Sequence, residues 1–312
     1  MNDLPADAAR RSSKLLPALL AVALLAALAA PAWAGCHGLQ LHAHRGAPGG
    51  PENSLSAVQQ AWDGAWDGAE IDVQTLRDGQ WVLHHDLKLG RTTSLQGRAT
   101  TELPPEAWRE VRMKDRQGRL VAEAAPFLAE LTAQLPARDD KVLNIELKQL
   151  NLSCQAAEGA AQDLGRSRPD GRWFLTSIDR RVLQCVRRAD RQGYLGLIVL
   201  DPQALAREAP ARAQALAQRV KPPVLDRAWL QRLQQEVGTP VGVHVDINTL
   251  GANPTLLADA LALGVPVFTY HLGPDREHAA ALRRQARSSG LLPSGAIIDG
   301  TPAAFCDQLG QP

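Results

Sequence analysis

The chain has 312 residues, 45% of them hydrophobic, and a formal net charge of +1. That is ordinary globular composition. A near-neutral chain excludes nucleic acid as the expected partner, because binding a phosphate backbone needs a basic surface.

The first segment reads as an export leader. Arg10, Arg11 and Lys14 precede the apolar run "LLPALLAVALLAALAA" (15–30), and "PAWAG" supplies small residues at Ala32 and Ala34. This pattern predicts a signal peptide over 1–34 and an exported, periplasmic or secreted protein. The run is short against the ~20 residues a spanning helix needs, so no membrane span is expected once the leader is removed. The "WAGC" stretch ending at Cys36 leaves a lipoprotein anchor on that cysteine as the alternative. Residues 35–312 suit one domain, and a (β/α)8 barrel typically needs about 250 residues.

Strand-like segments then recur at 39–44, 69–74, 81–85, 142–148, 172–178, 194–200, 241–247, 265–272 and 295–299. Helix-like segments lie between most of them, at 53–63, 126–135, 152–164, 179–190, 204–219, 226–236, 254–263 and 275–289. Such alternation predicts an α/β protein with a parallel sheet, and its many repetitions favour a closed barrel. The nine strands exceed a simple barrel by one. Segments 69–74 and 81–85 are joined by "TLRDGQ", too short for a parallel crossover and carrying the hairpin signal Asp78-Gly79. One of the two is therefore an added antiparallel strand. The polar stretch 94–123 is expected to be a loop-rich insertion over one end of the barrel.

Polar residues inside strands carry the chemistry. Glu70 and Asp72 are two apart and share a face, with Ile71 and Val73 on the other, and Glu146 and Lys148 repeat the pattern. Two carboxylates ~4 Å apart repel by ~4 kcal/mol at an effective dielectric of about 20, a cost a cation removes. A hard divalent ion on Glu70, Asp72 and Glu146, Ca2+ or Mg2+, is the simplest account; surface alternation or a salt bridge from Lys148 is the other. His44-Arg45-Gly46 ends the first strand, bringing a proton carrier and an anion holder, while His42 is expected to be a satisfied interior histidine. If Asp78-Gly79 forms a two-residue loop, Asp72 lies opposite His85, which then joins the carboxylates while His84 faces away.

The stretches "HRG", "PENS", "GAEIDVQTLRDGQWVLHHDLKLGRTT" and "LNIELK" resemble the glycerophosphodiester phosphodiesterase family nearly continuously over 44–93 and again at 143–148. Weaker similarity reaches "TSID", "VFTYHL" and "AIIDGTP". The resemblance implies a TIM barrel, a divalent metal on Glu70, Asp72 and Glu146, and acid/base work by His44 and His85. It also implies phosphate contacts from Arg45 with support from Lys148, structural roles for Glu52 and Asn53, and a small glycerophosphodiester as substrate. The implied reaction is metal-dependent hydrolysis to glycerol 3-phosphate and an alcohol. The alternatives are a phospholipase D-like relative acting on intact phospholipids and a non-catalytic phosphodiester-binding lipoprotein.

The chain departs from the family pattern in the short Gly46–Pro51 loop, at "YHLG" (270–273), and at "DGTP", where Asp299 stands in place of a threonine. The core chemistry is expected not to depend on these. In a closed barrel the first and last units are neighbours, which brings Cys36 near Cys306, and Cys154 and Cys185 lie on the helices after two successive strands. Disulfides Cys36–Cys306 and Cys154–Cys185 are expected, with four buried or free thiols as the alternative.

Overall fold

A computed structural model describes residues 36–149, 151–207 and 221–310. The expected leader, 1–34, and most of the segment expected to be helical over 204–219 lie outside these. Eight parallel strands close into a barrel: β1 (Gln40–Ala43), β2 (Gly68–Thr75), β6 (Val142–Leu147), β7 (Trp173–Ser177), β8 (Leu195–Val199), β9 (Val241–Asp246), β10 (Val267–Tyr270) and β11 (Gly295–Ile298). β1 pairs with both β11 and β2, which closes the ring. The ninth expected strand, β3 (Trp81–Leu83), lies outside it, antiparallel to β2.

Alternation sorts each strand into two faces. Ile71 and Val73, or Val241, Val243 and Val245, are fully buried under the surrounding helices. The helices start where short polar side chains satisfy their first amides: Ser54, Ser153, Asp179 and Asp226 each accept a backbone N–H two or three residues on. The inward positions fill the barrel with rings. His244 stacks on Phe268 at 4.9 Å between centroids, and His42 lies 5.1 Å from the same ring. His42 is interior as expected but not satisfied, since neither ring nitrogen has a partner. Burial lowers its pKa to about 3, so it packs as a neutral aromatic plate. Gly242 makes this packing possible, because a Cβ there would come within 2.3 Å of the Tyr194 hydroxyl.

The polar stretch 94–123 carries more regular structure than expected. It contains a 3-10 turn (Thr100–Glu102), a helical turn (Pro105–Arg109) and a hairpin of β4 (Arg112–Lys114) and β5 (Leu120–Ala124). Trp108, Val111 and Met113 from this stretch join Leu76 and Val82 in a second core outside the barrel. The hairpin is not legible in the sequence because β5 alternates between exposed and half-buried positions, and its apolar run, Leu120 to Ala122, follows no core strand pattern.

Both expected disulfides form, Cys36–Cys306 and Cys154–Cys185. The first ties the entry to β1 to the last helix, and it consumes the thiol that a lipid anchor on Cys36 would need. Peptide mapping without reduction is expected to recover these two cross-linked pairs; four alkylatable thiols would contradict the structure. The double variant Cys36→Ser/Cys306→Ser is expected to lose about 2–5 kcal/mol of stability in denaturant titration.

Candidate functional site

All residues singled out from the sequence as site candidates meet at the C-terminal end of the barrel strands, where (β/α)8 enzymes keep their active sites. His44, Arg45, Glu70, Asp72, His85, Glu146 and Lys148 line one cavity of about 510 Å³. The β2–β6 register sets Asp72 directly beside Glu146. Glu70, Asp72 and Glu146 each offer an oxygen within 4.8 Å of the others, and all three are buried.

These charges repel, and the surroundings distribute the cost. Burial, then Asp72 and Glu146, push Glu70 well above the usual carboxylate range despite Arg45. Burial also works to raise Asp72, but His85, Lys148, Arg45 and the Asn53 amide outweigh it and hold Asp72 far below that range. Glu146 is raised by burial more than Lys148 lowers it. Such a buried, all-oxygen, three-carboxylate cluster fits a hard divalent cation, which would offset both the burial and the repulsion.

The "HRG" turn wraps over this cluster. Arg45 sits at φ +57° and Gly46 at +87°, where a Cβ would press within 2.7 Å of Ala57. The turn aims the Arg45 backbone N–H at Glu70 Oε2 (2.9 Å), and the Arg45 guanidinium lies 3.2 Å from Glu52 and 3.4 Å from Asp72. Lys148 Nζ lies 3.1 Å from Glu146 and 3.7 Å from Asp72. Asn53 does more than shape a turn. Its Nδ2 donates to Asp72 Oδ2 (2.9 Å) and its Oδ1 accepts the Asp72 backbone N–H (2.9 Å), so it fixes that carboxylate from both sides.

The two histidines are held alike. His44 Nδ1 lies 2.8 Å from Asp299 Oδ1, and His85 Nδ1 lies 2.7 Å from Asp86 Oδ1. Burial opposes the Asp299 charge, but the His44 ring and the Arg116 and Arg45 guanidiniums outweigh it and keep the carboxyl below its usual range. An ionised carboxylate only accepts, so each ring carries its proton on Nδ1 and leaves Nε2 free. Asp86 is further bound by Arg91 through contacts of 2.8 and 2.9 Å, and Arg91 also contacts Glu52. Asp299 is thus no neutral departure from the family pattern, as expected from sequence, but the partner of a cavity histidine.

The hairpin corrects the expected register. Its loop has three residues, Arg77 to Gly79, closed by Leu76 N–H to Gln80 O, with Gly79 at φ +92°. Val73 pairs with Leu83, which brings His84, not His85, level with Asp72. His85 reaches the cavity because pairing stops at Leu83. Beyond it, Gln74 Nε2 donates to the carbonyls of His84, His85 and Asp86 (2.9, 3.2 and 2.9 Å) and gathers the chain into a tight bend. His84 turns away onto Trp108, and burial lowers its pKa to about 4.

Residues 44–291 match the glycerophosphoryl diester phosphodiesterase family. The chain belongs to that family. A glycerophosphodiester phosphodiesterase of Bacillus altitudinis is 34% identical over 110 residues, which cover 35% of this chain and 45% of the relative. The match therefore spans under half of that relative's length. Among solved structures, the phosphodiesterase of Oleispira antarctica in complex with the product sn-glycerol-3-phosphate superposes with a TM-score of 0.66 at 21% identity, over 87% of this chain and 97% of that one. A glycerophosphodiester phosphodiesterase from Parabacteroides distasonis gives 0.63 at 16%, over 87% and 97%. These two likenesses show the shared barrel.

Calorimetric titration with Mg2+ or Ca2+ is expected to show one strong site per chain, lost in Glu70→Gln, Asp72→Asn or Glu146→Gln. Because Asn53 orients Asp72, Asn53→Ala is expected to weaken metal binding by roughly tenfold or more.

Proposed function

We propose that the protein is a metal-dependent hydrolase that cleaves glycerophosphodiesters to glycerol 3-phosphate and an alcohol. One observation carries the reading: a buried three-carboxylate cluster flanked by two imidazoles, each fixed at Nδ1 by its own carboxylate, in a cavity that also holds Arg45 and Lys148. Family membership supports it.

Glu70, Asp72 and Glu146 would hold one divalent cation, Ca2+ or Mg2+. When bound, that ion supplies Lewis-acid polarisation of the phosphoryl group and a nucleophile available near neutral pH. The chain's own groups do the rest. Arg45 and Lys148 receive the phosphodiester charge; with three carboxylates, a dication and a monoanionic substrate, the filled site sums to zero, as a partly dry pocket requires. His44 and His85 present Nε2 to the reacting oxygens. One takes the proton of the attacking hydroxyl, and the other gives a proton to the departing alcohol as the phosphorus–oxygen bond breaks. Asp299 and Asp86 keep both rings in the tautomer and orientation this requires.

The reading extends to export. It is supported by the basic, apolar and small-residue leader at 1–34 and by two disulfides, which suit an oxidising compartment.

The test is release of glycerol 3-phosphate from glycerophosphocholine in the presence of Mg2+, Ca2+ or Mn2+. No turnover of any such diester would overturn the reading, and tight binding without turnover would leave a phosphodiester-binding protein. His44→Ala and His85→Ala are expected to lose about 10²–10⁴-fold in kcat with metal binding retained. Asp299→Ala is expected to cost on the order of tenfold or more. His84→Ala is expected to spare turnover per folded molecule and cost about 1–3 kcal/mol of stability, since it empties a buried site against Trp108.

A further inference from the structure

The active-site cavity has two unlike halves. The charged groups stand on the β1, β2 and β6 side. The opposite wall, built where β7 and β8 end, is hydrocarbon: Ile178, Ile198, Leu200 and Leu205, with Leu272 from the end of β10; Leu87 also lines the cavity but stands on the charged side, next to the His85 bend. Among the described residues seven large hydrophobic side chains are exposed, and four of them line this one cavity: Leu87 (56%), Ile178 (37%), Leu200 (40%) and Leu205 (45%). Exposed leucines scattered singly need no explanation, but a cluster at the mouth of a polar site does.

The wall is held in place rather than loosely draped. Asp201 is fully buried, and its carboxylate accepts the backbone N–H groups of Gln203 and Ala204 and the Thr249 hydroxyl. It thereby anchors the turn that presents Leu200 and Leu205. With those contacts made, Asp201 has little left to offer a cationic headgroup. Tyr270, an aromatic side chain of the lining, spends its hydroxyl on the Val199 carbonyl. The exposed part of the wall offers apolar contact, while the buried Thr176 hydroxyl, which has no partner, also lines the cavity. The rim on the other side carries charge, with Arg91 half exposed beside Asp86 and Asp299 half exposed beside His44. A mouth apolar on one side and charged on the other suits a chain lying along one wall, not a flat seat on a bilayer.

We propose that the substrate carries one hydrocarbon chain: a single-chain phosphodiester, its phosphate held on the charged half and its acyl or alkyl chain covering Ile178, Leu200 and Leu205. The proposal rests on the phosphodiesterase reading above. The chemistry of the step is unchanged. An attacking hydroxyl oxygen bonds to phosphorus and loses its proton, the bond from phosphorus to the headgroup oxygen breaks, and that oxygen takes a proton.

The experiment measures choline release by the full, metal-loaded protein from glycerophosphocholine and from 1-octanoyl-glycero-3-phosphocholine, the latter kept below its micelle concentration. The chain-bearing substrate is expected to show a kcat/KM higher by roughly tenfold or more. In Leu200→Ser/Leu205→Ser the ratio of the two kcat/KM values is expected to fall toward one, and folding is checked by circular dichroism. Turnover of glycerophosphocholine with no preference for the octanoyl ester, or a preference untouched by the double variant, overturns the single-chain proposal and leaves the phosphodiesterase reading standing. A preference that emerges only with micelles or vesicles replaces it with surface docking. Failure to turn over either substrate removes both readings.

Discussion

Three buried carboxylates within 4.8 Å of one another are the constraint the rest of the structure answers to. Nothing in the strands themselves makes Glu70, Asp72 and Glu146 welcome there. They are held because β2 and β6 pair in one register, with Asp72 level with Glu146, and a slip of one residue would turn the acids outward and bring Ile71 and Val73 in. The barrel core fixes that register, since the outward face of β2 is wholly buried under helices. Packing outside the ring thus imposes repulsion inside it. The neighbouring groups then divide the cost unevenly, with Asp72 kept ionised by cations and by Asn53 while Glu70 is pushed upward.

Around this cluster the polar groups form a continuous chain. Arg45 contacts Glu52, Glu52 contacts Arg91, Arg91 binds Asp86, and Asp86 holds the His85 ring. His44 is held separately by Asp299, and the Asp299 and Gly300 backbone amides donate to Asp275. Each histidine therefore rests on a carboxylate that is itself fixed. One is set by groups close in sequence and the other by barrel closure, because β1 lies beside β11 although Asp299 is 255 residues from His44.

The hairpin shows where local reasoning reaches a limit. A Asp78-Gly79 signal correctly marks a turn, and Gly79 does take the positive φ that favours glycine. Loop length decides the register, however, and two- and three-residue loops share that signal. His85 arrives at the cavity for another reason: the ladder ends at Leu83, and the Gln74 amide binds three successive carbonyls. Pairing rules apply only within a ladder, and one buried side-chain amide overrides them here. Asn53 was legible as a turn residue, at φ +57°, but its grip on Asp72 requires two segments nineteen residues apart to meet.

What the sequence determined by itself is what depends on short range. The alternation of strand and helix, the two faces of "EID" and "NIELK", the turn at "HRG" and the candidate ligands are all set by residue type and spacing, because strand periodicity and side-chain chemistry act over a few residues. Only the tertiary structure decided which residues support the candidates. Asp299 at His44, Gln74 under the His85 bend and the leucines facing the charged wall come from elements far apart in the chain, or from a bend that breaks the local period. Their hydrogen bonds and contacts are settled by barrel closure and by packing, whose distances are not written in any one stretch of the chain.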